Sequence, residues 1–430
     1  MRLTPPAGRG AIPLALALAA ACANTGEPPG GPPDEKPPLI LSVYPESGAV
    51  LPNPRGDAVI QFDGVIEEQS GGTGAGATGL AARILLSPTA GPVDVSWHRS
   101  AIHVKPKEGW KPGRIYHLQI LPGIADLRRN VAKDRRTIVF STGPVIPHAT
   151  LTGVAVLWVE QRALVGGLVR AQLLPDTLAY LALVDSSGGF RFDNLPPGRY
   201  AVFAIADQNG NRVRERREAY DSALVTVDSS AATVLWAFVH DTTGPKLRQA
   251  DPLDSLAARL TFTQPLDPTQ APDSLRVRVV TLPDSTPVRV RGLLAQARYD
   301  SLVTRERAAL DSARAAHDTT RKPSPLPRDT SRADTLGLRP PAPVGARPVP
   351  DTSGLHLILE QRPVPQDKLV LRFDTMLIPG ARYYVEVRGT RNLGGVTADG
   401  HAVLVVPKPK PPPPPAQPDS TRVPRDSTRP

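Results

Sequence analysis

Fifty prolines and 35 glycines interrupt this chain of 430 residues, and between the breaks lie short β-branched segments in which apolar and polar residues alternate. A period of two is the pattern of a half-buried strand, and frequent turn residues end each strand after a few positions. The chain therefore reads as all-β, built as tandem β-sandwich modules on linkers instead of one large core. Three stretches carry the pattern, 38–143, 148–241 and 243–407.

In the first stretch, strands are predicted over 39–44, 58–65, 84–86, 93–97, 101–105, 115–121 and 137–141; Ile60 and Phe62 share one face of their strand, as do Ile102 and Val104 of theirs. The third stretch repeats it. Leu260-x-Phe262 echoes Ile60-x-Phe62 at an offset of 200, and Pro379-Gly380-x-x-Tyr383 echoes Pro112-Gly113-x-x-Tyr116 at an offset of 267. The difference, 267 − 200 = 67, predicts an insertion of that length between the two landmarks. Residues 299–353 supply most of it: a short helix over 299–320 with a weak stripe of Leu302, Arg305, Ala309, Ala313 and Ala316, then a disordered Pro/Arg/Asp/Thr run, with a helical coil packed on the sandwich as the alternative. Such an insertion is tolerated because loop-closure entropy grows only logarithmically with length.

The first stretch resembles the bacterial Ig-like domain described in surface-layer proteins. The residues that carry the likeness are Tyr44-Pro45-Glu46-Ser47-Gly48, Ile60-x-Phe62, Lys111-Pro112-Gly113-x-x-Tyr116, Asp126-x-x-x-Asn130 and Phe140-Ser141-Thr142-Gly143. The resemblance implies an immunoglobulin-type sandwich of about seven strands, here and again in 243–407.

The middle stretch predicts strands over 154–159, 169–173, 180–184, 190–192, 200–206, 223–227 and 233–239. Its centre, Gly189-Phe190-Arg191-Phe192-Asp193-Asn194-Leu195-Pro196-Pro197-Gly198-Arg199-Tyr200, resembles the transthyretin-like repeat of carboxypeptidase regulatory and Cna B-type domains. That likeness implies a non-catalytic spacer sandwich. Isopeptide-forming relatives need a lysine, and 148–241 contains none.

The amino terminus reads as an export address. Arg2 and Arg9 precede the apolar run 11–21, which ends in small residues at Cys22, the single cysteine. A basic start, a short apolar run and a small-residue end make a secretory signal. Leu18-Ala19-Ala20-Ala21-Cys22 resembles the lipobox of bacterial lipoproteins, with Ala19 where the family most often has leucine. The resemblance implies cleavage of 1–21, lipidation of Cys22, a tether over 22–37 and, with Ala23 following instead of aspartate, the outer membrane. Several acyl chains on one residue would hold it there stably.

The net charge of +10 is scattered, with an excess at the proline-rich, disordered tail 408–430. Nucleic-acid binding would need a clustered basic face interleaved with aromatics, and aromatics are 5 % of the residues. The eight histidines sit apart in sequence; His98 and His103, five apart, are expected on opposite strand faces. No His-Glu-x-x-His, Gly-x-Ser-x-Gly or phosphate-binding Gly-x-x-x-x-Gly-Lys is present, and Gly71–Gly76 reads as a plain flexible loop. One stretch leaves calcium open as a cofactor: Asp207, Asn209, Asn211, Glu215 and Glu218 place oxygens at positions 1, 3, 5, 9 and 12, the spacing of a calcium loop. Arg212 stands where that loop needs glycine, and Asp-x-Asn-Gly-Asn is equally an ordinary turn.

These readings predict a non-enzymatic, lipid-anchored envelope protein whose sandwiches serve structural or binding roles, with the membrane and an envelope protein or glycan as partners. The alternative is a carbohydrate-binding accessory lipoprotein. That role needs an exposed aromatic platform, and of the four tryptophans Trp110, beside the Lys111-Pro112-Gly113 turn, is the best placed.

Overall fold

The computed structural model describes residues 35–70, 79–90, 93–317 and 353–408. Cys22, the signal segment, the tether as far as residue 34, the low-complexity run 318–352 and the tail beyond residue 408 lie outside the described residues. The architecture is all-β, in three tandem sandwiches.

The first sandwich comprises β1 (Ile40–Tyr44), β2 (Ala58–Phe62), β3 (Ile84–Ser87), β4 (Val93–His98), β5 (Ala101–Pro106), β6 (Ile115–Ile120) and β7 (Arg136–Ser141). Four strands in the order β1-β2-β5-β4 face three in the order β3-β6-β7. The alternation seen in sequence points Ile60, Phe62, Ile102 and Val104 inward, where they meet Tyr116, Leu118 and Phe140. Each large apolar side chain so buried contributes roughly 1.5–3 kcal/mol.

The second sandwich comprises β8 (Ala149–Leu157), β9 (Arg162–Ala163), β10 (Leu168–Leu173), β11 (Ala179–Leu183), β12 (Gly189–Leu195), β13 (Gly198–Ile205), β14 (Ala219–Val227) and β15 (Ser230–Val239). Its strands run β11-β10-β13-β14-β15-β8-β12, with β9 paired to β8. The sheet folds over where β14 and β15 pair through just Ala219–Val239 and Tyr220–Phe238, and β15 then runs parallel to β8. Phe190 and Phe192 share the inner face, 6.2 Å apart and edge to face, while Arg191 and Asp193 pair on the outer one.

The third sandwich comprises β16 (Leu247–Asp254), β17 (Ala257–Leu266), β18 (Arg276–Leu282), β19 (Val290–Ala295), β20 (Gln366–Phe373), β21 (Arg382–Arg391) and β22 (Thr397–Val405). Its sheets, β16-β17-β20-β19 and β18-β21-β22, reproduce the strand order of the first. The echoing motifs occupy equivalent places. Tyr116 accepts a hydrogen bond from the Lys111 backbone N–H at 2.9 Å, and Tyr383 accepts one from Ile378 at 2.8 Å. The insertion falls in one hairpin: two residues, Arg99 and Ser100, join β4 to β5, whereas 296–365 join β19 to β20. That is 70 residues against 2, an excess of 68 where the motif offsets predict 67.

Within the insertion, α1 (Gln296–His317) begins directly at the end of β19. It does not use the expected stripe. Tyr299 and Val303, one turn apart, pack on Ala257 and Val370 of the sheet, and Tyr299 donates its hydroxyl hydrogen to Asp254. Residues 304–314 are exposed. Burial and the Asp254 carboxylate push the Tyr299 phenol up to about 12. A second helix, α2 (Ser353–Leu359), was not anticipated and leads back toward β20.

Candidate functional site

The candidate surfaces lie where sandwiches meet, and β6 shows how they arise. Its residues alternate as Ile115, Tyr116, His117, Leu118, Gln119, Ile120, a strand that sequence alone assigns one wet face; all six are buried. Tyr116, Leu118 and Ile120 enter the core. The other face is covered by β11, an edge strand of the second sandwich. Gln119 donates its side-chain N–H to the Leu181 carbonyl at 2.6 Å, and the Leu181 N–H donates to Ser87 Oγ at 3.2 Å. Side chains on one sheet face thus satisfy the open backbone groups of another sheet's edge, which would otherwise cost free energy when buried.

Two ionisable contacts flank that seam. Arg114 pairs with Asp176; burial works to raise the Asp176 carboxyl, but the Arg114 hydrogen bond and charge together with the Leu178 and Thr177 backbone N–H groups outweigh it and hold the group below its usual range. His117 packs 5.0 Å from the Tyr180 ring, with Nε2 unpartnered. Burial lowers its pKa to about 4, against a hydrogen bond to the Asn194 backbone that favours the charged form. A cleft of about 250 Å³ opens beside the seam, and its polar lining is Arg114, Asp176 and Tyr180.

The 207–218 loop does bring its five oxygen-bearing residues together. Asp207 accepts from the backbone N–H of Asn211 at 3.1 Å and of Arg212 at 2.8 Å. Asn209 and Asn211 turn their amide N–H groups to Glu215 Oε1, at 2.9 and 2.6 Å. Glu218, 5 % exposed, accepts from Gln208 and Glu215. A hard cation needs six to eight free oxygen ligands, and here the carboxylates and amide oxygens close the loop on itself. Arg212 takes up the left-handed conformation, φ 61°, that the sixth position demands. Its guanidinium leaves the loop and lies 3.3 and 3.4 Å from the Ala81 and Ala82 carbonyls of the first sandwich. Sequence reading counted Arg212 as an obstacle to calcium; its place is a second tie between sandwiches.

The second and third sandwiches are joined by α2. Leu355, Ile358 and Leu359 pack on Val156, Trp158 and Trp236 at the outer face of β8 and β15. The Arg362 guanidinium lies 5.5 Å from the Trp158 ring and 5.1 Å from Trp236, and the Trp158 indole N–H donates to the Pro363 carbonyl at 3.2 Å. Asn392 adds hydrogen bonds to the Asp241 and Thr243 carbonyls, both at 3.0 Å. The apolar run Leu355-His356-Leu357-Ile358-Leu359 was the available signal. These contacts join modules for which proline-rich linkers alone would leave relative motion as the default.

Two expectations about single residues are corrected. His98 and His103 share a face, with ring centroids 4.8 Å apart. The tight turn at Arg99-Ser100 pairs His98 with Ala101 and Ser96 with His103, so parity within a strand does not carry across a hairpin. Trp110 is not an open platform: it is half-buried, edge-on to Tyr116 at 5.0 Å and Phe140 at 5.4 Å, and donates to the Gly56 carbonyl at 2.8 Å. Among the described residues no three His, Cys, Asp or Glu side chains converge to hold a metal ion.

The first sandwich combines this strand order with the Tyr116 hydrogen bond and the Asp126 loop, in which Asp126 accepts from Arg128, Asn130 and the Asn130 amide, each at 2.8 Å. Residues 34–142 match the family model of the bacterial Ig-like domain. No curated protein matches the chain. Among solved structures the chain is similar to the N-terminal part of the bacterial S-layer protein SbsC, at 12 % identity and a TM-score of 0.20, over 39 % of this chain and 24 % of that one. It is also similar to BcpA, the major pilin subunit of Bacillus cereus, at 10 % identity and 0.17, over 47 % and 70 %. The Bacillus anthracis TIE protein aligns at 10 % identity and 0.16, over 60 % and 48 %. The chain thus spans about a quarter of the S-layer structure's length, and at such TM-scores these likenesses carry no functional argument.

Proposed function

We propose that this chain is a non-catalytic cell-envelope protein, anchored in the outer membrane through lipid on Cys22, in which Ig-like sandwiches serve a structural or binding role. The observation that carries the reading is that several buried or half-buried polar groups join one sandwich to the next: Ser87 and Gln119 on β11, His117 on the Asn194 backbone of β12, Arg212 on the 81–82 backbone, Asn392 on the 241–243 backbone. The Ig-like match over 34–142 supports the envelope assignment. The second sandwich acts in this reading as a transthyretin-like spacer. The test is metabolic labelling with an alkyne fatty acid followed by membrane fractionation. Label and membrane retention in the wild type, both lost in Cys22→Ser, are expected; an unlabelled protein retained equally well in both would overturn the anchor.

A further inference from the structure

The repeat makes one surface conspicuous. In the first sandwich the outward face of β3-β6-β7 is formed by Leu85, Ser87, Ile115, His117, Gln119 and Val139, and it is buried under the edge strand β11. The register of β18-β21-β22 places Arg278, Val280, Arg382, Tyr384, Glu386 and Val403 at the equivalent positions of the third sandwich. No edge strand among the described residues lies over them as β11 lies over the first face, although Val280 is buried and Tyr384, stacked on His401 at 5.2 Å, and Glu386 are half-buried. Val403 is 39 % exposed and its neighbour Val405 53 %, and Arg276, Arg278, Arg382 and Arg388 are all exposed. Arg388 is paired with Glu386. Arg276, Arg278 and Arg382 have no carboxylate partner among the described residues.

We infer that this face is a docking surface for the edge strand of an acidic β-domain of another envelope protein. The covered face defines the mode: a sheet face carrying a short apolar strip and polar side chains receives an edge strand and satisfies its open backbone groups, with a flanking Arg–Asp pair fixing the register. The open face keeps a short apolar strip in the half-buried Tyr384 and the exposed Val403 and Val405 and replaces the neutral rim with arginines, so its partner must supply the carboxylates. Of this chain's own segments outside the described residues, the two long ones, 318–352 and 409–430, each carry more Lys and Arg than Asp and Glu, and the tether 22–34 offers just Glu27 and Asp34 among prolines and glycines. Its own β11 is already engaged with β6.

The inference rests on the envelope reading above and deepens it by naming the surface and the partner's chemistry. The experiment places a photoreactive benzoylphenylalanine at Val403 in the full-length protein, in the cells that make it, and sequences the crosslinked product. The expected adduct is a peptide from a different protein with carboxylates at alternate positions. Its yield should fall at least about tenfold in Arg278→Glu/Arg382→Glu and persist in Arg248→Glu/Arg291→Glu, which reverses charge on the opposite sheet. Equal melting temperatures and equal membrane retention of both double variants separate loss of the partner from misfolding and from loss of the anchor. An adduct with polysaccharide or lipid, a protein adduct indifferent to the face reversal, or no adduct overturns the inference.

Discussion

The Gln119 side-chain nitrogen lies 2.6 Å from the Leu181 carbonyl oxygen, and through that bond a strand in the middle of one sheet supports the edge of another. Around it the seam is polar yet closed to water: Ser87 is 0 % exposed and His117 2 %. Removing the Gln119 amide leaves the Leu181 carbonyl, in a half-buried place, without its donor. Gln119→Ala is expected to destabilise the first two sandwiches together by about 1–3 kcal/mol, read as a common shift of their urea transition. A shift confined to the first sandwich would show that the seam carries no coupling.

His117 makes the seam sensitive to acid. Its folded pKa lies near 4 against an unfolded value of 6.5, so the folded state prefers the neutral ring. The stability it contributes is complete above pH 6.5 and falls as the pH drops toward 4, because the unfolded chain takes up the proton first. The loss is on the order of 3 kcal/mol. Asp176, with its carboxyl held low, acts in a more acidic window and adds to the loss below its ordinary pKa of 3.8. Thermal unfolding between pH 7 and 4 should therefore be steeper in the wild type than in His117→Leu, and parallel curves would contradict this assignment.

The two tyrosines of the repeat should behave alike. Tyr116→Phe and Tyr383→Phe each remove one acceptor for a backbone N–H and should each cost about 1 kcal/mol. Chemical denaturation of the two variants checks it; a marked inequality would mean the repeat is one of topology alone.

The 207–218 loop is closed by its own hydrogen bonds. Millimolar calcium is expected to leave the melting temperature unchanged, whereas Glu218→Ala strips the Gln208 and Glu215 N–H groups of their acceptor and should cost about 1–3 kcal/mol. A calcium-dependent rise in melting temperature that disappears in Glu215→Gln would restore the ion.

The Arg362 guanidinium over two indoles offers an optical readout. Ile358→Asp should lift α2 from Trp158 and Trp236, shifting emission to the red, and Arg362→Ala should weaken the same contact by about 0.5–2 kcal/mol. Emission unchanged in both variants would show that α2 is not seated there in solution.

What the chain discloses before folding is uneven for physical reasons. Ile60-x-Phe62, Leu260-x-Phe262 and the Pro-Gly-x-x-Tyr turns are local, so the strands and the insertion length were legible from them. The polar face of β6 was not, since whether Gln119 meets water or a carbonyl depends on a strand 62 residues away. Arg212 reads as a misplaced residue in a calcium loop until the carbonyls of Ala81 and Ala82 are in view. The Leu355–Leu359 run is too short to distinguish helix from strand by period, and its destination lies on another sandwich.

The seven-residue α2 hangs from a hairpin of the third sandwich and rests on the second, so the backbone and this contact together close a ring. Twisting one sandwich against the other must first peel α2 away. Torsional stiffness at that joint is thus held by a clip belonging to neither core, one that evolution could lengthen, loosen or delete without touching a strand.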